Sequence, residues 1–357
     1  MNEDSMSVNI DGWNVGTDPV FIIAELSANH GGSLPKALET IQAAAEVGVN
    51  AVKLQTYRPE SITLDSDAPI FRVGEGTLWS GRRLFDLYRE AMTPWEWHAE
   101  LFEEARRLGL CIFSSPFDTD AIELLESLDA PAYKIASFEL LDHGLIAAAA
   151  STGKPLIMST GMASCEEIDE AVSVARNHGA AGVVLLHCNS TYPADPAQMD
   201  LATIPDMVKQ WSCPVGLSDH TLSATSAVAA VALGASVVEK HITLRRSDGG
   251  PDSAFSLEPE EFGSLVSAIR EAEQALGAVR YGPSESERNS LAFRRSLFVV
   301  EDIAEGERFT NFNVRSIRPS GGLEPKHVSS VLGLRATAPI ACGTPLEWSL
   351  VEGGEPG

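Results

Sequence analysis

"PVGLSDHTLSATSAVAAVALGASVVEKHIT" (214–243) holds two short apolar runs with a helix-like, alanine-rich stretch between them. Near-continuous apolar runs of this length belong to strands covered on both faces, which is the condition of a parallel sheet. Each run ends in polar residues, "SDH" at 218–220 and "EKH" at 239–241. His220 and His241, 21 residues apart, therefore close consecutive strands and can converge on one point.

The same unit recurs toward the N-terminus. Strand-like runs fall at 20–25, 51–55, 110–115, 132–137, 155–160 and 183–188, besides 214–219 and 236–241. Between them lie helical patterns such as "SLPKALETIQAAAEVG" (33–48), with a serine N-cap and a glycine past its end, and "PWEWHAELFEEARRLG" (94–109). "SCEEIDEAVSVARNHG" (164–179) opens as a capping box, Ser164 with Glu167. Eight such units over roughly 250 residues is the arithmetic of a (β/α)8 TIM barrel. A doubly wound open sheet is the competitor, but no G-x-G-x-x-G follows the first strand, and eight units favour closure. The barrel is expected over 1–280 and a polar linker over 281–290. A small β-rich domain follows at 291–357, where "RSLFVVEDIAEGERFT" and "GTPLEWSLV" are punctuated by Gly and Pro.

Composition narrows the function. The chain of 357 residues carries 50 Asp and Glu against 26 Lys and Arg, a net charge of −24. Nucleic-acid and anionic-membrane binding need basic stripes, so both are excluded as expectations. No apolar run reaches membrane-spanning length, and the start "MNEDSMSVNIDGW" is too acidic for a secretion signal. Five cysteines without C-x-x-C spacing point to free thiols in a reducing cytoplasm. An anionic substrate would have to be held by a few local cations against the overall field.

In a barrel the C-terminal ends of the strands build the site. Here those ends carry Glu25, Lys53, Gln55, Ser114, Ser115, Lys134, Ser137, Ser159, Thr160, His187, Asn189, Ser190, Ser218, Asp219, Glu239 and the two histidines. One lysine there means little, since most are solvated or structurally paired. Lys53 and Lys134 together, among serines and threonines, form a cradle for phosphate or carboxylate. A lone histidine more often satisfies a loop carbonyl. A strand-end pair beside acids points instead to a metal, with water, Glu25 or substrate filling the remaining positions. His30 in "SANHGG" either lines the site or builds a turn. Asp252 in "RRSDGGPDSAFS" (245–256) either accepts substrate hydroxyls or closes an Asp-turn. Arg318, before Pro319 and a glycine pair, offers a cation from a loop, though an exposed arginine is usually surface. Trp95, Trp97 and Phe102 read as packing.

With these residues in hand, "FIIAELSANHGG", "AVKLQTY", "FSSPFD", "PAYKIASFE", "MSTGMAS", "LLHCNSTYP", "GLSDHT", "VEKHIT" and "GGPDSAFSLEPEEF" resemble, in order and spacing, the sialic acid synthases. "VRSIRP" and "GTPLEW" resemble that family's C-terminal antifreeze-like (SAF) domain. "FSSPFD", "KIASFE" and "GTLWSGRRLFDLYREAMTPWEWH" (76–98) are similar to its pseudaminic branch. The resemblance implies a transferase that joins phosphoenolpyruvate to 2,4-diacetamido-2,4,6-trideoxy-L-altrose, with C–O cleavage and release of phosphate. N-acetylneuraminate or legionaminate synthesis is the alternative within the family. It further implies Lys53, Ser115, Lys134, Ser137, Ser159, Ser190 and Ser218 on phosphoenolpyruvate, and Gln55, Tyr192, Asp252 and Arg318 on the sugar. Ser190 departs from the asparagine of the neuraminic branch. His220 and His241 match the family's metal ligands, for Mn²⁺ in preference to Mg²⁺ or Co²⁺. Glu25, with His220, His241, Lys53 and Lys134, is a candidate for the chemistry. Arg318 matches an arginine that reaches a partner's barrel, which implies a domain-swapped homodimer. Two other classes compete: a metal-dependent barrel hydrolase, which the lysine and serine ring disfavours, and an ice- or sugar-binding protein built on the C-terminal module.

Overall fold

The structure, a computed structural model, describes residues 7–355. The opening "MNEDSM" of the segment read above as no secretion signal lies outside them. The chain divides into two compact units, the first ending at Gly277 and the second beginning at Ala278.

The first unit opens with a hairpin, β1 (Val8–Ile10) and β2 (Trp13–Val15). Eight parallel strands follow: β3 (Phe21–Glu25), β4 (Ala51–Thr56), β5 (Cys111–Pro116), β6 (Tyr133–Ile135), β7 (Leu156–Ser159), β8 (Val183–Cys188), β9 (Val215–Asp219) and β10 (Val237–His241). They close in sequence order, β10 pairing with β3 through Val237–Phe21 to His241–Glu25. The helices between them are α1 (Leu34–Glu46), α2 (Pro59–Ile62), α3 (Leu84–Ala91), α4 (His98–Arg107), α5 (Thr119–Ser127), α6 (His143–Ala150), α7 (Cys165–Asn177), α8 (Thr203–Trp211), α9 (Thr225–Ala232) and α10 (Pro259–Leu276). This is the (β/α)8 barrel that the eight apolar runs lead one to expect. The capping box at Ser164 and Glu167 forms on α7 as read. The link from β4 to β5 is longer than the rest and carries α2, α3 and α4.

Strand alternation sorts the core into two shells. Ile22, Ala24, Val52, Leu54, Ile112, Leu185 and Val238 pack outward with the helices. Phe21, Ile23, Ala51, Cys111, Phe113, Ala132, Ile157, Val184, Leu186 and Val237 fill the interior. The hairpin joins that inner shell through Val8, Ile10 and Val15, so it plugs the N-terminal end of the barrel. Its turn puts Asp11 and Gly12 at φ 51° and 85°, the left-handed pair of a tight hairpin turn. Gly182 leaves room for it, since a Cβ there would lie 2.7 Å from the Val8 side chain.

The second unit pairs β11 (Ser296–Val299) antiparallel with β12 (Val314–Ile317). Isolated bridges such as Ile303–Ile340 surround its small core of Leu297, Val299, Phe309, Val314 and Leu346. Among the described residues no helix is long and apolar enough to cross a membrane, and all five cysteines are free.

Candidate active site

Following each strand from its N-terminal end, the inward positions change character. Ile23 gives way to Glu25, Ala51 to Lys53 and then Gln55, Ala132 to Lys134, and Ile157 to Ser159. Likewise Gly216 gives way to Ser218, and Val237 to Glu239 and His241. The apolar half is the packed interior. The polar half, with Glu25 set just behind it, is the floor of a cavity of about 860 Å³ at the C-terminal mouth.

Glu239 is the hub of that floor. It lies 3.1 Å from the Lys53 ammonium and 3.8 Å from that of Lys134, and it accepts from Ser218 Oγ at 3.2 Å. Lys53 also sits 3.1 Å from Glu25, whose other oxygen accepts from Gln55 Nε2 at 2.9 Å. Lys134 donates to Ser159 Oγ at 2.6 Å. All are buried, and their shared burial splits their ionisation. Burial alone would raise the Glu239 carboxyl, but Lys134 and Lys53 outweigh it and hold the group down to about 2. Burial pushes Glu25 up to about 7, against the pull of Lys53 and with the push of Glu239. Burial pulls Lys134 down to about 8, only partly offset by Glu239. For Lys53 burial acts downward as well, yet two flanking carboxylates keep its ammonium above the usual range. Two lysines thus share one firmly ionised carboxylate, and Glu25 changes charge near neutrality. Such a floor binds an anion and exchanges a proton.

His220 and His241 come together as the strand ends require, ring centroids 5.6 Å apart. Asn189 O can only accept, so the 2.8 Å contact to His220 Nδ1 puts the proton there and frees Nε2. His241 Nδ1 is buried without a partner. Burial lowers His220 to about 4 and His241 well below its usual value, so both rings are neutral at pH 7. Two neutral imidazoles with free lone pairs fit a divalent transition-metal ion. No third His, Cys, Asp or Glu joins them in a ligand cluster among the described residues. Water and substrate oxygen would complete the shell.

Asp219, between the serine and histidine of "GLSDHT", has its own task. Its Oδ2 meets Lys240 Nζ at 2.7 Å with both side chains fully buried. Its Oδ1 accepts from Thr221 N at 2.9 Å, and Lys240 also donates to Thr221 O. The pair fastens the turn after β9 to β10, and with it the two histidines.

An aromatic collar stands above the floor. Tyr192 lies 4.4 Å from His220 and 5.0 Å from Phe255, and Trp79 lies 5.7 Å from Tyr192. Trp79 Nε1 donates to Pro251 O at 2.8 Å, which ties the β4–β5 link to the loop after β10. Asp252 faces the cavity, accepts from Ser27 Oγ, and is raised by burial. Ser137 and Ser190 lie 2.9 Å apart at the wall. Gly161 permits this: its φ is 44°, and a Cβ there would stand 2.5 Å from Ser137 Cβ.

Of the residues read from sequence, Lys53, Gln55, Lys134, Ser137, Ser159, Ser190, Tyr192, Ser218, His220, His241 and Asp252 line one cavity. Glu25 lies behind the wall, attached through Lys53 and Gln55. Ser115 does not line the cavity. It is buried, level with Gln55 on the neighbouring strand, and its Oγ has no partner. His30 builds the turn, Nδ1 accepting from Gly32 N at 3.0 Å. His187 is spent on Met199 O at 2.6 Å. Arg318 stands exposed in the second unit, just after β12. Sequence reasoning left Glu239 without a firm role and gave Trp79, Phe255, Cys188 and Glu139 none, though all line the cavity. Glu139 is raised by burial to about 7.

Comparison with known proteins follows the same lines. Residues 40–281 match the NeuB family and residues 294–352 the SAF domain. The chain is 44% identical over 335 residues to the pseudaminic acid synthase of Campylobacter jejuni, covering 94% of this chain and 97% of that one. It is 45% identical over 336 residues to the pseudaminic acid synthase of Helicobacter pylori, covering 94% and 98%. Among solved structures, the N-acetylneuraminic acid synthetase of Leptospira borgpetersenii superposes with a TM-score of 0.72 at 31% identity, covering 80% of this chain and 95% of that one. With an eight-stranded barrel, a cation-bearing floor and these matches along its length, the chain belongs to the NeuB family and ends in a SAF domain.

Proposed function

We propose that this chain is a pseudaminic acid synthase, a transferase that condenses phosphoenolpyruvate with 2,4-diacetamido-2,4,6-trideoxy-L-altrose and releases phosphate. The observation that carries the reading is the floor: two buried lysines around one ionised carboxylate, in a chain 44–45% identical to enzymes of that name.

Phosphoenolpyruvate brings phosphate and carboxylate, and Lys53 and Lys134 meet them, with Ser159, Ser218, Ser137 and Ser190 as directed donors. C3 of the enol attacks the sugar aldehyde and forms the new C–C bond, and the aldehyde oxygen takes up a proton. Water adds at C2, loses a proton, and the C–O bond to phosphate breaks. Glu25, titrating near neutrality beside Lys53, is suited to exchange those protons. Gln55, Tyr192 and Asp252 hold the sugar above the floor. A divalent ion on His220 and His241, Mn²⁺ in preference to Mg²⁺ or Co²⁺, would supply a Lewis acid for the aldehyde oxygen. A domain-swapped homodimer, with Arg318 of one chain serving its partner's barrel, belongs to the same proposal, as does a cytoplasmic setting.

Phosphate release, followed with phosphoenolpyruvate and a panel of sugars, tests the reading. Turnover is expected with the diacetamido sugar, lost after chelation and restored by Mn²⁺. Turnover of N-acetylmannosamine alone would move the chain to the neuraminic alternative, and turnover unaffected by chelation would remove the metal.

The pH profile gives a second check. Lys134 is charged below about 8 and neutral above it, so its hold on the anion weakens as pH rises through that value. kcat/KM for phosphoenolpyruvate is expected to fall above about pH 8. In Lys134→Arg, whose guanidinium stays charged, the limb should move to higher pH whatever its height. An unmoved limb would mean that another group sets it.

A further inference from the structure

The cavity has two poles of opposite character. Its floor is ionisable. Much of its upper wall comes from the β4–β5 link, through Ile62, Val73, Leu78, Leu84, Leu87 and Tyr88, with Trp79 in the collar. Residues 57–97 contain twelve Arg, Asp and Glu residues, and none of the twelve lines the cavity. Eight of them pair with one another instead: Arg83 with Asp65, Asp67 and Asp86, Arg72 with Asp67, Arg89 with Asp86, and Arg82 with Glu90. The hairpin-like turn at 72–83 is closed by Val73 N to Arg82 O at 2.9 Å and Gly81 N to Val73 O at 2.9 Å. The segment keeps its charged groups off the cavity, while Val73, Leu78, Leu84 and Leu87 line it; Leu64 and Ile70 face solvent, and Leu78 is half exposed at the rim.

We propose that Val73, Leu78, Leu84 and Leu87 form the specificity wall of the sugar site, selecting the end of the sugar that carries a methyl group in place of a hydroxyl. The inference rests on the sugar-condensing reading above and adds which residues choose the sugar. Thr77 and Tyr88 are polar side chains that this stretch adds to the lining; away from them a sugar hydroxyl set against Val73, Leu84 and Leu87 gives up water for no partner, whereas a C6 methyl loses nothing. An apolar pocket of this kind discriminates by about 10- to 100-fold.

The test compares kcat/KM for the diacetamido sugar in its 6-deoxy and 6-hydroxy forms on the same enzyme preparation, so that the folded fraction cancels. Wild type is expected to favour the 6-deoxy form by about tenfold or more. Val73→Thr adds a hydroxyl at nearly constant shape, and Leu84→Gln places an amide in the wall. Each should reduce the preference several-fold. A wild-type preference that both variants retain within twofold overturns the wall and leaves the condensation reading standing. Wild-type turnover of N-acetylmannosamine with none of either diacetamido sugar overturns both.

Discussion

Lys240→Met lowers the stability of the folded chain by about 3–5 kcal/mol, the cost of stranding a buried charge. Lys240 and Asp219 are both fully buried and meet at 2.7 Å. Removing the ammonium leaves the Asp219 carboxylate with Thr221 N as its one remaining protein donor, and it frees Thr221 O as well. Methionine fills the space of the lysine stem, so cavity formation contributes little. Adding Asp219→Asn to Lys240→Met should recover much of the loss, because the uncompensated charge goes. Urea midpoints at unchanged slope report the difference. A single-variant loss below about 1 kcal/mol, the range of exposed pairs, would show that water reaches the carboxylate.

Lys53→Met is expected to reduce kcat by about 10²- to 10³-fold, the size of effect seen when one positioned charge donor leaves an active site. Lys53 stands 3.1 Å from both Glu25 and Glu239. Without it the anion loses a cation, and two carboxylates face each other across the floor. Glu25, already raised by burial, also loses the group that pulls it down, so it stays protonated further into the alkaline range. Lys53→Arg is not expected to rescue, since a planar fork cannot take the place of a compact ammonium between two acids. Phosphate release at saturating substrates measures the loss, with circular dichroism confirming the fold. Activity within tenfold of wild type would remove Lys53 from the chemistry.

The barrel was legible because its strands are buried on both faces and written in Val, Ile and Leu, with capped helices between. The lysines and histidines were legible because a strand end has no packing use for them. Glu239 was within reach of the same logic. In "SVVEKH" the alternation that turns His241 inward also turns Val237 and Glu239 inward, and a carboxylate among lysines is where the charges must meet. The hairpin at 8–15 also carried a signal, the Asp11-Gly12 pair in "NIDGWN". The aliphatic wall had none. Its residues lie on a turn and on short helices without one sustained period, and only the folded chain shows that twelve charges face away from the cavity. Ser115 is off the cavity lining for a related reason: a strand-end position fixes the level of a residue but not whether a short side chain reaches the cavity.

The N-terminal hairpin has a bearing on traffic. It plugs the barrel's lower end, and an apolar shell packs the interior beneath Lys53 and Lys134. Lys53 lies two residues below Gln55, about 5 Å deeper once the tilt of barrel strands is allowed for. Whatever rests on the lysines must enter from the C-terminal mouth, past Trp79 and Tyr192, where a second molecule would stand in its way. On the proposed reading, a ligand on the lysines is therefore expected to arrive before one held beside Gln55, Tyr192 and Asp252.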